Sequence, residues 1–113
     1  MSDRVKEFRE ERERLNEVLL SRSNLNIKRF FSLDTAVYRD GALDARTKEL
    51  LGLVASLVLR CDDCVTYHTI RSREAGITDE EFDEVMSVGL IAGGSITIPH
   101  IRRAVKLWKE MED

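Results

Sequence analysis

Two cysteines and a histidine follow one another closely in this chain, as Cys61, Cys64 and His68. In a helix that begins near Cys61, these positions are spaced i, i+3 and i+7 and therefore share one face. Cysteines one turn apart can form a disulfide with little distortion. His68 lies one turn beyond Cys64, within reach of its sulfur. The spacing therefore predicts a redox-active dithiol with a basic neighbour.

Such chemistry needs a thiolate, because a free cysteine with a pKa of ~8.5 is only slightly ionised at neutral pH. A helix N-terminus and a nearby imidazole both favour the ionised sulfur, and a second cysteine can resolve a sulfenic acid before it is oxidised further. Asp62 and Asp63 lie between the cysteines. Their charges would raise the thiol pKa unless they are engaged in capping the helix.

Glu49 is the carboxylate that could complete this site. In one unbroken helix it would lie about 22 Å from Cys64 along the axis. It can reach His68 only if the chain reverses near Arg60 and two helices pack antiparallel, or if another subunit supplies it. Given a reversal, Glu49 can orient His68 or take its proton, directly or through water.

The elements that must position these residues are predicted to be helices throughout. A charged segment over residues 1–24 carries a narrow apolar seam that includes Val5, Phe8 and Leu15, which suits either a surface helix or a helix–helix contact in an oligomer. A second helix is predicted over Leu25–Val37, followed by a turn at 38–41.

The two helices that hold the site follow this turn. Asp44 is a good N-cap for a helix whose segment Leu50–Leu59 is apolar nearly all round, which predicts a buried central helix. After the polar break at 60–63, a further helix runs to about Ala75 and ends at Gly76. These two helices form the predicted antiparallel pair that carries the glutamate, the cysteines and the histidine.

The remaining third of the chain predicts two more helices. Thr78 and Glu81 form a capping box that opens one helix, Gly93-Gly94 breaks it, and Pro99 suits the first turn of the last helix. The fold class predicted is therefore all-α, a multihelical domain of about five or six helices.

The aromatic side chains and the second histidine have mainly structural interpretations. Phe30, Phe31, Tyr67 and Trp108 are predicted to be packing residues. Tyr67 is in addition a candidate for lining the thiol pocket. His100 is predicted to be structural or exposed, with a pocket-lining role as its alternative.

Length and composition limit the classes of function. The chain has 113 residues, with 42% hydrophobic and 35% charged residues, which predicts a single domain over 1–113. A chain of this size buries a limited fraction of its surface on folding, so assembly into an oligomer would stabilise it. The net charge of −3 argues against binding of nucleic acid or an anionic membrane. No secretion signal or spanning segment is visible, so a cytoplasmic location is expected.

The motifs together resemble a known family. The run 43–51 (LDARTKELL), the run 61–68 (CDDCVTYH), the pair Ala75-Gly76, the capping box and the Gly93-Gly94 break are similar to the carboxymuconolactone decarboxylase / alkylhydroperoxidase D family over roughly residues 30–100. The resemblance implies an all-helical fold and a homo-trimer or homo-hexamer. It implies no cofactor or metal.

The redox branch of that family implies roles for the residues. It reduces hydroperoxides or protein disulfides, or re-reduces a peroxiredoxin, with electrons from a lipoylated or thioredoxin-like protein. By resemblance, Cys64 would be the activated and more buried thiol, and Cys61 its more exposed disulfide partner. His68 would be the base and Glu49 the relay carboxylate.

The chain also departs from the better-studied members of this branch. Those proteins are longer by an additional helical half, and they often carry a histidine between the cysteines where this chain has Asp63. Decarboxylases proper lack the cysteine pair, which argues against lactone decarboxylation here.

Two other functions remain open on sequence grounds. Cys61, Cys64 and His68, with His100 or water as a fourth ligand, could hold zinc in a metal-stabilised helical domain. Alternatively, the chain could be a non-catalytic oligomeric binding module whose cysteines respond to oxidation. In a third alternative, the two cysteines are small packing residues with no chemical role.

Overall fold

A computed structural model of the chain describes residues 3–22 and 24–112, and these residues form helices joined by short connections. No strand occurs in this part of the chain, which confirms the all-α prediction. The helices are α1 (Asp3–Arg22), α2 (Leu25–Val37), α3 (Ala45–Leu59), α4 (Asp62–Glu74), α5 (Asp79–Gly93) and α6 (Ile98–Glu110), with a short 3₁₀ turn at Ser95–Thr97 before α6.

The predicted helix boundaries are confirmed where capping residues mark them. Asp44 accepts a hydrogen bond from the Thr47 N–H at 2.7 Å at the start of α3. Thr78 and Glu81 form the reciprocal capping box of α5. Gly76 takes a positive φ of 82° just after α4, a conformation that glycine adopts without a steric penalty.

The core lies where α3, α4, α5 and α6 meet. Phe82 and Trp108 stack at its centre, with ring centroids 4.2 Å apart and planes 9° from parallel. The Trp108 indole N–H donates to Asp79 at 2.7 Å, which satisfies its one polar group. The buried cluster comprises Leu53, Leu57, Val65, Ile77, Phe82, Met86, Ala104 and Trp108. This cluster fixes α3 against α4 and so sets the frame of the candidate site.

Helix α3 is central, but only one of its sides is buried in the single chain. Leu53 and Leu57 face the core, whereas Leu51, Val58 and Leu59 are exposed. The prediction of burial nearly all round α3 is therefore wrong for the isolated chain. A single layer of neighbouring helices covers one face of α3 and leaves the other uncovered.

The first two helices, α1 and α2, bury fewer of their residues against the rest of the chain than the other helices do. Val5 of α1 is buried with Ile70 and Leu107, so the start of the predicted seam packs on the body of the chain. Leu15, further along α1, is exposed. Of the N-terminal segment predicted over 1–24, residues 1, 2 and 23 lie outside the described part, as does residue 113 of the predicted 1–113 domain.

Helix α2 has no buried residue at all. Phe30 is 69% exposed and touches Phe31 edge-on, so the prediction that Phe30 is a packing residue is wrong for the isolated chain. Trp108 alone of the four predicted packing aromatics lies deep in the core. Among the described residues, no helix is long and apolar enough to cross a membrane.

Candidate dithiol site

A tight reversal between α3 and α4 brings Glu49 to the histidine. Arg60 adopts the left-handed conformation, with φ 57° and ψ 40°, and its N–H bonds to the carbonyl groups of Ser56 and Leu57. Helix α4 begins at Asp62 and runs back along α3. The predicted antiparallel pair is therefore present, and its turn lies at the predicted break.

Glu49 and His68 contact each other directly across this pair. His68 Nδ1 lies 3.3 Å from Glu49 Oε2. Glu49 is only 5% exposed, and its second carboxylate oxygen lies 3.9 Å from Arg71 Nε. A buried carboxylate needs such partners, because an unpaired charge away from water is costly. The geometry therefore holds a carboxylate and an imidazole ready to share a proton.

Tyr38 completes this group from the other side of the imidazole. Its hydroxyl lies 3.5 Å from His68 Nε2, and the two ring centroids are 5.4 Å apart. Burial, together with the negative charge of Glu49, raises the pKa of Tyr38. The sequence pattern does not single out Tyr38, because its stretch predicts only a turn and no spacing rule links it to His68.

The two cysteines are free thiols joined by a hydrogen-bonded contact at the start of α4. Cys61 is the N-cap residue, and its sulfur accepts the backbone N–H of Cys64 at 3.3 Å. Cys61 is half-buried and Cys64 is exposed in the single chain. This order is the reverse of the predicted one, because the N-cap position turns the Cys61 side chain inward over the first turn of the helix.

The Cys64 thiol is held in its protonated form. A hydrogen bond with Cys61, burial and the negative charges of Cys61 and Asp63 raise the pKa of Cys64 to about 11. The expectation that helix and imidazole favour a Cys64 thiolate is therefore wrong for this state of the chain. The helix N-terminus instead directs the Cys64 N–H group to the sulfur of Cys61.

The other histidine, His100, lies near the start of α4, where it contacts an aspartate and not a cysteine. His100 Nδ1 is 2.6 Å from Asp62 Oδ1, and Arg103 bonds to the same carboxylate at 3.0 Å. The hydrogen bond from His100 and the charge of Arg103 lower the pKa of Asp62. His100 thus ties α6 to the first turn of α4, which agrees with its structural interpretation.

Tyr67 lies between His68 and the first helix. Its ring meets the His68 ring edge-on at 5.2 Å, and the Arg12 guanidinium lies 4.0 Å above its centroid. Tyr67 lines a cavity of about 270 Å³ between α1 and α4, together with Phe8, Arg9, Arg12, Glu13, Ile70, Arg71 and Glu74. Neither cysteine lines this cavity, so the role of Tyr67 in a thiol pocket stays a prediction.

The residues proposed as zinc ligands are not assembled into one set. Over residues 3–22 and 24–112, no group of three or more His, Cys, Asp or Glu side chains is arranged to hold a metal ion. His68 faces Glu49 and Tyr38, while His100 faces Asp62. The two histidines therefore contact different carboxylates in this structure.

Solved structures resemble this fold closely. A crystal structure from Thermotoga maritima, of a carboxymuconolactone decarboxylase family protein described with a possible part in antioxidative response, is 57% identical with a TM-score of 0.89, covering 93% of this chain and 89% of that one. A Legionella pneumophila protein of the same family shares the fold at 23% identity, with a TM-score of 0.87 over 99% of this chain and 100% of its own.

Sequence relatives agree with this similarity. An uncharacterized protein of the cox locus in Paracoccus denitrificans is 30% identical over 83 residues, which are 74% of this chain and 75% of that protein. An uncharacterized Cupriavidus necator protein is 36% identical over 59 residues, 52% of each chain. The model of the carboxymuconolactone decarboxylase family matches residues 27–107. With a matching fold, a CxxC pair and this extent of sequence similarity, the chain belongs to the carboxymuconolactone decarboxylase family.

Proposed function

We propose that this protein is a thiol-dependent peroxidase or disulfide reductase of the alkylhydroperoxidase D type, with Cys61 and Cys64 as its dithiol. The observation that carries the proposal is the buried Glu49–His68 contact of 3.3 Å, held one helical turn from a CxxC pair whose first sulfur caps α4. A structural helix pair has no need of a buried acid–base couple beside two free thiols. The antioxidative description of the Thermotoga maritima relative points the same way.

The geometry supports Cys61 as the attacking sulfur and Cys64 as the resolving one. The Cys61 thiolate attacks the outer oxygen of a hydroperoxide, which breaks the O–O bond, takes up a proton and releases an alcohol. The resulting Cys61 sulfenic acid is then attacked by Cys64, which gives the disulfide and water. Cys64 must lose its proton in this second step, and His68, backed by Glu49, is the base that takes it.

The cycle closes when an external dithiol reduces the disulfide. A lipoylated or thioredoxin-like protein is the expected electron donor, and a peroxiredoxin is the expected partner if the dithiol acts on protein disulfides. The cytoplasm suits this chemistry, because its thiol pools keep an exposed CxxC pair reduced between turnovers.

The direct test measures intact mass and free thiols before and after one equivalent of an organic hydroperoxide. We expect the reduced protein to lose two hydrogens and both thiols rapidly without gaining oxygen. Cys61→Ser and Cys64→Ser should each abolish thiol-dependent peroxide turnover. Thiols that survive as long as those of free cysteine, or full turnover in either variant, would overturn the two-cysteine mechanism.

The acid–base pair has its own test. Glu49→Gln preserves the shape of the side chain but removes the charge that accepts the His68 proton. We expect peroxide turnover to fall by about a hundredfold, a typical contribution of general acid–base catalysis. Arg46→Gln on the same helix is the matched control, since Arg46 pairs with Glu81 on α5 and not with the dithiol site.

A second candidate function rests on a different observation. Helix α2 presents an unburied apolar face, and a redox-sensitive binding module would use such a face. Oxidation of Cys61 and Cys64 would then change assembly or partner binding without turnover. Sedimentation of the reduced and oxidised protein tests a module that switches its assembly, because such a module must change size on oxidation and the peroxidase need not.

A further inference from the structure

His68 is contacted on both of its ring nitrogens, and the second contact has no role in the mechanism given above. Glu49 faces Nδ1 at 3.3 Å, and the Tyr38 hydroxyl faces Nε2 at 3.5 Å. The nitrogen that must accept a thiol proton is therefore already covered by a phenol.

The chemistry of the three groups fixes the direction of both hydrogen bonds. An ionised carboxylate only accepts, so Nδ1 must carry the proton that it shares with Glu49. In a neutral imidazole the other nitrogen is then an acceptor, so the Tyr38 hydroxyl must donate to Nε2. The two contacts together fix the tautomer and the ring orientation of His68.

Gly52 is the residue that permits this approach. It lies one turn after Glu49 on α3, and a Cβ built on it would come within 2.6 Å of the Tyr38 hydroxyl oxygen and 2.8 Å of His68 Cε1. Any larger residue at position 52 would push the phenol and the imidazole apart. A helix interior normally disfavours glycine by up to ~1 kcal/mol relative to alanine. The site therefore depends on an intrinsically unfavourable residue at the point where Tyr38 and His68 meet.

The surroundings of Tyr38 hold the phenol in the protonated form that this contact needs. Burial is the main cause that raises the pKa of Tyr38, and the negative charges of Glu49 and Asp34 raise it further, with Tyr67 and Cys64 as smaller causes. Arg71 lies behind this group, 3.9 Å from the other carboxylate oxygen of Glu49.

We infer that Tyr38 is a positioning residue that holds His68 in the orientation and tautomer in which Nε2 is the base for Cys64, an inference that rests on the proposed dithiol function. Cys64 and His68 lie one turn apart on the same face of α4. When the Cys64 S–H proton moves to His68 Nε2, the Tyr38 hydroxyl gives up its hydrogen bond to that nitrogen. The products are a Cys64 thiolate and an imidazolium whose Nδ1–H remains on Glu49. The proton count balances and no electron moves.

The test follows the two cysteines separately with dithiobis(nitrobenzoate), an aromatic disulfide, in the reduced full-length chain. Attack by the first thiol releases one coloured thiolate and leaves a mixed disulfide. Attack by the second thiol on that mixed disulfide releases another and forms the Cys61–Cys64 bond. Cys64→Ser assigns the phases, because it should show only the first release.

Tyr38→Phe removes the hydroxyl but keeps the ring that packs on His68. We expect the first phase to stay at the wild-type rate and the second phase to slow about tenfold at neutral pH, with its pH midpoint about one unit higher. Thr35→Val is the matched control, because it deletes an exposed hydroxyl on helix α2, just before Tyr38, that donates to the Phe31 carbonyl. It should leave both phases unchanged.

Gly52→Ala tests the Tyr38–His68 contact from helix α3, because the added methyl group would press on both side chains. It should reproduce the slow second phase, and combining it with Tyr38→Phe should add little, since both changes break one contact. Unchanged second phases in both single variants, or slowing confined to the first phase, would overturn the role of Tyr38. The readout uses no peroxide, so the absence of peroxide turnover would count against the proposed function alone.

Discussion

At the scale of single residues, the two aspartates between the cysteines have different electrostatic roles. Asp62 is paired with His100 at 2.6 Å and with Arg103 at 3.0 Å, so its charge is largely compensated. The charge of Asp63 is one of the causes that raise the pKa of Cys64. The negative charge of Asp62 thus ties two helices together, whereas that of Asp63 adds to the larger effects of Cys61 and burial in raising the pKa of Cys64.

Replacing Asp63 should therefore make Cys64 more reactive. We expect Asp63→Asn to lower the pKa of Cys64 and to speed its alkylation at pH 8 about threefold, the effect of removing one exposed charge near the sulfur. The rate can be measured by a short iodoacetamide pulse and fragmentation of the peptide 61–71. Asp62→Asn is the control, and a larger rate increase in that variant would contradict this assignment.

At the scale of elements, the start of α5 is coupled to α3 by one carboxylate. Glu81 accepts the Thr78 N–H at 2.9 Å within the capping box and also pairs with Arg46 of α3. The bonds from Arg46 and from the cap lower the pKa of Glu81 from its usual 4.5 to about 2. The same side chain therefore begins a helix and holds it against the central one.

This coupling predicts a specific acid sensitivity. A carboxyl with a depressed pKa stabilises the fold above its unfolded pKa, and the stabilisation is lost as pH falls from about 4.5 towards 2. We expect Glu81→Gln to lower the melting temperature at pH 7 by a few degrees and to flatten its decline over that pH range. Glu80→Gln, next to it in the first turn of α5, should leave the pH dependence as in the wild type.

The elements also show what sequence reasoning can and cannot reach. The Asp44 cap, the Thr78 capping box and the reversal at Arg60 are local signals, so the helix pair and the meeting of Glu49 with His68 are predictable. The contact between Tyr38 and His68 is not, because it depends on how a turn packs on two helices. The relative burial of the cysteines depends likewise on the side-chain direction at a helix cap.

At the scale of the whole molecule, the described residues leave many apolar side chains uncovered. On the surface of α2, Leu25, Phe30 and Leu33 are 59%, 69% and 62% exposed. Exposed apolar residues also lie on α1, α3, α5 and the 3₁₀ turn, namely Leu15, Val18, Leu19, Val58, Leu59, Val88, Ile91 and Ile96. Surfaces of this kind in a small protein mark contacts with other chains.

A second copy of this chain is the expected cover for the α2 surface, in the trimer or hexamer that the family resemblance implies. We expect the wild-type protein to sediment well above its monomer mass of 13.0 kDa. Combining Phe30→Glu with Leu33→Glu should shift it to the monomer, because charges cannot be buried there without partners. Lys28→Glu on the same helix controls for charge alone. A wild-type monomer at micromolar concentration would contradict the assembly.

The N-cap acceptor of helix α4 is the sulfur of Cys61, whereas most helices are capped by a side-chain oxygen. The stability of the first turn of α4 is therefore coupled to the oxidation state of the cysteines. The Cys64 N–H donates to Cys61 Sγ in the reduced chain. A disulfide sulfur is a poorer acceptor than a thiolate, so oxidation should loosen the first turn. Losing an N-cap bond is worth ~1 kcal/mol, which predicts about fivefold faster hydrogen exchange at the Cys64 amide of the oxidised protein. Equal exchange in both forms would contradict this. Amide exchange would then report, without any label on sulfur, whether the dithiol is reduced or oxidised.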